Sequence, residues 1–424
     1  MHVRIFTLCV LCMVIDGFDM QALGYVAPAL TREWGVAPSS FGPIFGASNL
    51  GVLIGQLSFT MLADRIGRRP VLVAGTLLFA VATLATSQAG GLTDLLAIRF
   101  IAGIGMGSII PNATALVGEF SPQGVRIAWM TWLSIGFTAG AALGGFVAAS
   151  MVPAFGWRSV FYVGGTVPLV LAVAMFLWLP ESLRWLVLHG KRSAYVARWL
   201  KRFDPSAPAD EHTRFVIQEE AKAGMPAMHL FRDHRARATA LLWIVNFMNL
   251  FNLFSLANWL PTVATRAGYS PATAVLIGTT LQVGGTLSPF LLTWFILRKG
   301  FVPVLTVAFA IAALSVAMIG YPGLSLAMLV AVVFVAGATI VGVQPSLNAL
   351  AGSFYPTYLR STGVGWALGI GRAGSIVGPV MAGQFLARQW TTTDIFLALS
   401  VPAAISMAAM LALRNEVRNI GVSR

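Results

Sequence analysis

Apolar runs of about twenty residues, the length that crosses a bilayer core as a helix, recur from Ile5 to the region of Leu413, each closed by a short polar or Gly/Pro-containing turn. They predict twelve membrane-spanning helices, over about 4–30, 39–63, 69–88, 92–117, 126–151, 157–179, 237–260, 272–297, 301–321, 324–350, 358–387 and 392–414. The longest polar stretch, about 181–236, carries Lys191, Arg192, Lys201, Arg202, Glu219, Glu220 and Lys222 and divides the spans six against six. The expected organisation is an all-α integral membrane protein with a six-helix bundle over 1–180, a central loop over 181–236, and a second six-helix bundle with a short tail over 237–424. The first span begins almost at Met1, exceeds a signal-peptide core in length and lacks a small-residue cleavage site after it, so it is expected to stay.

The two halves resemble each other when the chain is slid on itself by 233 or 234 positions, a test that precedes finer reading. Arg65-Ile-Gly-Arg-Arg-Pro-Val-Leu72 then falls on Arg298-Lys-Gly-Phe-Val-Pro-Val-Leu305, Pro28 on Pro261, and Pro111 on Pro345. Phe120-x-Pro122-x-x-x-Arg126 falls on Phe354-x-Pro356-x-x-x-Arg360, and Asp16-x-Phe18-Asp19 on Asn249-x-Phe251-Asn252. A parallel repeat of six plus six spans is the layout of two-bundle transporters, whose substrate site lies near the midplane between the halves.

Composition narrows the class. With 57% hydrophobic and 10% charged residues, against about 25% charged in soluble domains, a soluble globule is excluded. A net charge of +13 does not indicate nucleic acid, because the basic residues follow topology. Arg32, Arg158, Arg266 and Arg388 lie in one set of loops. Arg4, Arg65, Arg68, Arg69, Arg126, the central loop, Arg298, Lys299, Arg360 and the tail gather in the other. The positive-inside rule then puts both termini and the central loop in the cytoplasm. Cys9 and Cys12 fall inside the first span and read as packing residues. The linker has no Gly-x-x-x-x-Gly-Lys-Ser/Thr run and no metal-ligand cluster stands out, so neither an ATP site, a metal nor another cofactor is expected.

Leu62-Ala-Asp64-Arg65-Ile-Gly67-Arg68-Arg69, after the second span, resembles the signature of the major facilitator superfamily. Asp16-Gly17-Phe18-Asp19, Arg99-Phe-Ile-Ala-Gly103-Ile-Gly105-Met-Gly107 through Pro111-Asn112, and Glu119-Phe-Ser-Pro122 resemble one branch of it, the aromatic acid:proton symporters. Ala154-Phe-Gly-Trp157-Arg158, Leu179-Pro180-Glu181-Ser182 and Gly369-Ile-Gly371-Arg372 extend the resemblance along nearly the whole chain. It implies the major facilitator fold and import of a small, hydroxybenzoate-like carboxylate with protons, powered by the proton gradient. The resemblance also implies a monomer in a bacterial inner membrane that serves aromatic catabolism. Two departures stand out. Leu297 occupies a loop position where an aspartate is usual, and Gly136-x-x-x-Gly140-Ala-Ala-x-Gly144-Gly145 lacks the proline of the proton-antiporter motif, which favours uptake over drug efflux.

An ionisable residue at mid-bilayer costs about 2.5–3.5 kcal/mol or more and is a functional hypothesis by default. At 1.5 Å per residue, Asp16 and Asp19 lie roughly 18–22 Å into the first span, and Arg99, entering from the opposite side, about 10 Å down, at a similar depth. Asp16 and Asp19 share a helical face, so one carboxylate can pair with Arg99 while the other is left to bind and release a proton. The plainer reading is a pair that only locks helices together. Asn249 and Asn252, at the repeat-related positions, cannot titrate and suit a substrate hydroxyl or ring substituent. Arg372, roughly 21 Å into the eleventh span, has Thr138 as its repeat mate and offers the planar fork that matches a carboxylate. The competing reading pairs it with Asp16, Asp19 or a helix end.

Phe18, Trp132, Phe251, Phe254 and Trp366 lie near this depth and are candidate ring platforms, although packing or lipid contact explains most such aromatics. Asn112, Asn246 and Gln344 are candidate cavity-lining groups, or else interhelical hydrogen-bonding ones. Asp64, Arg65, Arg68, Glu119, Arg126 and Arg360 are expected to gate the cytoplasmic side, the alternative being charges that only set topology. Import of an anion against a negative interior is opposed by about 2.3 kcal/mol per 100 mV. One proton cancels this and a second makes entry favourable. An exporter, a carrier of muconate or phenoxyacetate, and a transporter-like sensor of aromatic acids remain the alternatives. No Ser/His/Asp constellation marks an intramembrane enzyme.

Overall fold

The computed structural model describes residues 2–122, 124–190, 193–203, 226–231, 235–355 and 359–419. Lys191, Arg192, Glu219, Glu220, Lys222 and Pro356 lie outside the described residues. In the first half the helices are α1 (His2–Trp34), α2 (Phe41–Ile66), α3 (Arg68–Thr86), α4 (Leu92–Gly107), α5 (Ile109–Phe120), α6 (Arg126–Phe155) and α7 (Arg158–Trp178). The linker holds α8 (Leu183–Leu188) and α9 (Ser193–Phe203). The second half holds α10 (Ala236–Arg266), α11 (Pro271–Lys299), α12 (Phe301–Ile319), α13 (Leu326–Ile340), α14 (Gln344–Phe354), α15 (Arg360–Ala387) and α16 (Thr392–Asn419).

Among the described residues ten spans are long and apolar enough to cross a membrane, counting α4 with α5 and α13 with α14 as one each. The long helices α1 and α15, which carry Asp16, Asp19 and Arg372, complete the twelve. The fourth and tenth spans, each expected as one helix, are interrupted at Ser108 and at Val341–Val343. Pro111 and Pro345 follow these breaks inside the first turn of the next helix, where a missing N–H costs no intrahelical bond.

Helix pairing repeats between the halves. In the first, α1 packs along α6, α2 along α4 and α3 along α7; in the second, α10 along α15, α11 along α13 and α12 along α16. The closest seams use glycine at equivalent places. A Cβ on Gly51 would stand 2.2 Å from the Phe100 carbonyl oxygen, and one on Gly284 2.2 Å from that of Phe334. No side chain fits either seam, which is how small residues let membrane helices approach. Gly67 and Gly300, also repeat mates, end α2 and α11 at φ of 109° and 82°, a left-handed backbone that favours glycine.

The halves meet through α1 with α10, α2 with α15 and α6 with α11. Contact between α2 and α15 lies away from the termini, where the Gly42 and Gly383 backbones touch and Gly46 faces Val380. There also Gly24 meets the Asn258 backbone, Gly145 meets Thr279, and Phe45 packs edge-on to Trp259 at 5.3 Å. Toward the termini Gly365 and Gly369 of α15 face open space, while Leu57 and Met61 of α2 are exposed. On one flank at that depth Trp132 of α6 still meets Phe290 of α11 at 6.1 Å. The interior is therefore closed on the side away from the termini and opens toward them.

The linker is more structured than a polar loop. Trp199 of α9 is buried between His2 of α1, at 6.3 Å, and Phe120 of α5, at 4.9 Å. His2 Nδ1 also sits 2.9 Å from the Phe120 carbonyl oxygen.

Candidate functional site

The interior of the first bundle is organised around Asp19. Arg99 Nη2 donates to Asp19 Oδ2 at 2.6 Å, and Thr83 of α3 donates through Oγ1 to Asp19 Oδ1 at 3.1 Å. Both charged side chains are cut off from solvent, at 1% and 0% exposure. Such a pair survives in apolar surroundings because each charge offsets the other's loss of hydration. The guanidinium also rests over the Phe161 ring of α7, 5.9 Å from its centre. Of the two aspartates, Asp19 is the one that pairs with Arg99, and Thr83 is the partner that sequence reasoning missed.

Asp16 is buried without a hydrogen bond or ion pair among the described residues. The charges acting on its carboxylate are Arg372 of α15, across the bundle interface, and Asp19. Arg372 is half-buried and closes no ion pair within 4.0 Å among the described residues. Asp16 of α1 and Arg372 of α15 are thus an acid and a base with no ion pair to each other among the described residues. The guanidinium is free to take up an anion there.

The second bundle places amides where the first has charges. Asn249 Nδ2 donates to Gln344 Oε1 at 2.8 Å and to the Ile340 carbonyl at 3.2 Å. Gln344 Nε2 donates to Asn246 Oδ1 at 3.3 Å and to Asn348 Oδ1 at 3.1 Å, and Asn246 Nδ2 donates to the Leu242 carbonyl at 3.0 Å. Asn348 is a polar member of this chain that the sequence did not single out. Asn252 is buried and its Oδ1 has no partner.

Other expected contacts lie in varied surroundings. Phe18 is buried in the first bundle between Gly144 of α6 and Gly164 of α7, so its ring is engaged in packing there. Trp132 is exposed on the α6–α11 flank, and Trp366 is exposed and stacked on Trp243 at 5.6 Å. Phe251 and Phe254 are buried. Asn112 spends its Nδ2 on the Ser108 carbonyl, at 2.8 Å, bridging the break between α4 and α5.

The terminus-side network brings two of the expected residues, Arg68 and Glu119, together with Glu181 and Ser182. Arg68 Nη1 donates to Glu119 Oε1 at 2.7 Å, and Ser182 Oγ donates to Glu119 Oε2 at 2.7 Å. Glu181 accepts from the backbone N–H groups of Arg68, Arg69 and Ser182, which satisfies donors at the start of α3 and adds a favourable charge there. A Cβ on Gly67 would stand 2.3 Å from Glu181 Oε2. By contrast Asp64, Arg65, Arg126 and Arg360 are exposed and close no ion pair among the described residues, so the acids of the cluster are Glu119 and Glu181. The Asp64 backbone oxygen accepts from Trp185 Nε1 at 3.0 Å. In the other half, Tyr355 donates to Thr239 Oγ1 at 3.2 Å. Burial pushes its phenol above the ordinary tyrosine range, so the group stays a neutral hydrogen-bond donor.

Comparison with known proteins bears on this arrangement. The family model of the Major Facilitator Superfamily matches residues 9–379 and 242–423. The 4-hydroxybenzoate transporter PcaK of Pseudomonas putida is 36% identical over 409 residues, covering 96% of this chain and 91% of the relative. A gallate transporter of the same organism is 35% identical with the same coverage. Among solved structures, a D-xylose-proton symporter superposes with a TM-score of 0.76 at 15% identity, over 99% of both chains.

Proposed function

Because this chain belongs to the major facilitator superfamily and is a transporter, not an enzyme, we propose that it imports a small aromatic carboxylate of the hydroxybenzoate type in symport with protons. The substrate class is drawn from the relatives' names. The observation that carries the coupling is the inequality of the two acids: Asp19 is ion-paired with Arg99, while Asp16 is buried with no ion pair among the described residues.

The cycle follows from charge balance. With the cavity empty, Asp16 and Arg372 offset each other across the interface. A substrate carboxylate that docks on Arg372 takes over that compensation, and a proton on Asp16 restores neutrality inside a region where net charge is costly. The loaded site then carries no more charge than the empty one, and the bundles can rock around it. After release on the other side, Asp16 loses its proton and meets Arg372 again.

In this reading the membrane is a bacterial inner membrane, with both termini and the 181–236 linker cytoplasmic, an orientation that the distribution of Lys and Arg supports. The conformation described is then open to the cytoplasm. The protein works as a monomer, with two bundles over 1–180 and 237–424, and needs no cofactor beyond the proton gradient. Asp19, Thr83 and Arg99 hold the first bundle around α1. Arg372 binds the substrate anion, and the Arg68, Glu119, Glu181 and Ser182 cluster supports the cytoplasmic gate. Uptake of labelled 4-hydroxybenzoate into proteoliposomes under an imposed inward proton gradient tests the proposal, the native chain being compared with Asp16→Asn. Gradient-dependent accumulation that the variant loses is expected. Absence of gradient-driven flux of any ring acid by the native chain overturns it.

A further inference from the structure

The amide chain of the second bundle has a fixed polarity. Its ends are pinned by backbone carbonyls, which only accept: Asn249 Nδ2 donates to Ile340 and Asn246 Nδ2 to Leu242. The amide orientations between those ends follow without ambiguity, although the nitrogen and oxygen of an amide are otherwise interchangeable in shape. Both N–H groups of Asn249 are consumed, by Ile340 and Gln344, and both of Gln344, by Asn246 and Asn348. What is left over is an acceptor. Asn249 Oδ1 is buried and has no hydrogen-bond partner.

One turn further along α10, Asn252 Oδ1 is buried and unpartnered as well, and residues three apart share a helix face. An acceptor left bare away from water is unfavourable until a donor reaches it. The same layer contains the half-buried Arg372. Its neighbour Gly371 lies against α10, where a Cβ would stand 2.8 Å from the Leu250 side chain and 3.5 Å from the Asn246 Cβ.

We propose that Asn249 Oδ1, held by Gln344 and seconded by Asn252 Oδ1, accepts a hydrogen bond from a phenolic O–H of the substrate, so that the carrier selects rings bearing a hydroxyl donor over rings with none. This rests on the reading of the protein as an aromatic carboxylate carrier and adds a direction to its polar contacts. A hydroxyl satisfies the site, whereas a methoxy or fluoro substituent, which only accepts, brings a second acceptor against the first. Gln344 is a positioning residue, since it acts by keeping the Asn249 amide from rotating. Both Asn oxygens are closed off from water in the conformation described, so the donor is engaged as the bundles close around the substrate.

The test uses the full-length protein in proteoliposomes, with exchange of labelled 4-hydroxybenzoate competed by unlabelled 4-hydroxybenzoate, 4-methoxybenzoate and benzoate. The native chain is expected to prefer the hydroxylated acid about tenfold or more. Asn249→Leu should lose that preference while its affinity for benzoate changes less than about threefold, benzoate binding showing at once that the variant folds. Gln344→Met should lower the hydroxyl preference with Asn249 still present. Equal loss for all three acids in both variants, or an unchanged preference in both, overturns the inference and leaves the carrier reading intact. Failure of the native chain to exchange any of the three acids overturns both.

Discussion

The two bundles share a fold and differ in their interior chemistry. At one depth of α1 stand Asp16 and Asp19; at the repeat-related places of α10 stand Asn249 and Asn252. The first bundle binds its acid to a helix-4 arginine, with Thr83 as second ligand. The second joins α10 to α14 through uncharged amides. Since helix pairing is the same in both halves, the fold does not require charge at this level. The difference teaches that ionisable side chains at this level of one bundle have uncharged, hydrogen-bonding amides as their counterparts in the other.

The comparison is broken most severely by removing one partner of the buried pair. Arg99→Leu leaves Asp19 bare in an apolar interior, an effect of about 3–5 kcal/mol. Thermal unfolding in detergent should show a large loss, and the double variant Asp19→Asn, Arg99→Leu should recover part of it. The corresponding cut in the second bundle, Gln344→Leu, removes neutral hydrogen bonds worth about 0.6–2 kcal/mol each and should melt far closer to the native chain. Equal losses in the two bundles would contradict the division.

Next in size is Asp16→Asn, expected to abolish accumulation against a gradient while leaving exchange of substrate across the membrane. A variant that still accumulates substrate would move the proton site elsewhere. Arg372→Ala removes one charge-assisted contact of about 1.5–3 kcal/mol, hence roughly 10- to 100-fold in apparent affinity, with Arg372→Lys retaining part of it. The smallest effect belongs to the surface cluster. Glu119→Gln weakens a partly exposed ion pair with Arg68, 21% and 16% accessible, and should cost about 1 kcal/mol or less. It should change transport rate more than substrate affinity.

Much of this arrangement was legible in the sequence, because membrane spans announce themselves by hydropathy and a repeat by self-match. A pair between Arg99 and one of the two aspartates followed from counting residues down two helices that enter from opposite sides. Which aspartate pairs was not legible, since Asp16 and Asp19 share a face and the choice is settled by Thr83, a threonine with no distinguishing pattern. The break at Ser108 was hidden by an apolar run that continues through Ile109 and Ile110. Glu181 and Ser182 were visible only as a motif fragment. Their contacts reach back more than sixty residues to Glu119 and over a hundred to Arg68, beyond what helical spacing can report. Phe18 and Trp132 lay at the right depth, but depth alone does not give the direction a ring points.

The Gly145–Thr279 contact sets a rule for manipulating the molecule. A methyl group at position 145 would stand 1.8 Å from Thr279 Oγ1 on the opposite bundle, too close to coexist with the closed seam. Gly145→Ala is thus a doorstop one carbon wide: it penalises the conformation described here while leaving Arg372 and the buried pair untouched. It offers a way to hold the carrier in its other orientation, so that binders raised against each shape can be sorted by the face they recognise.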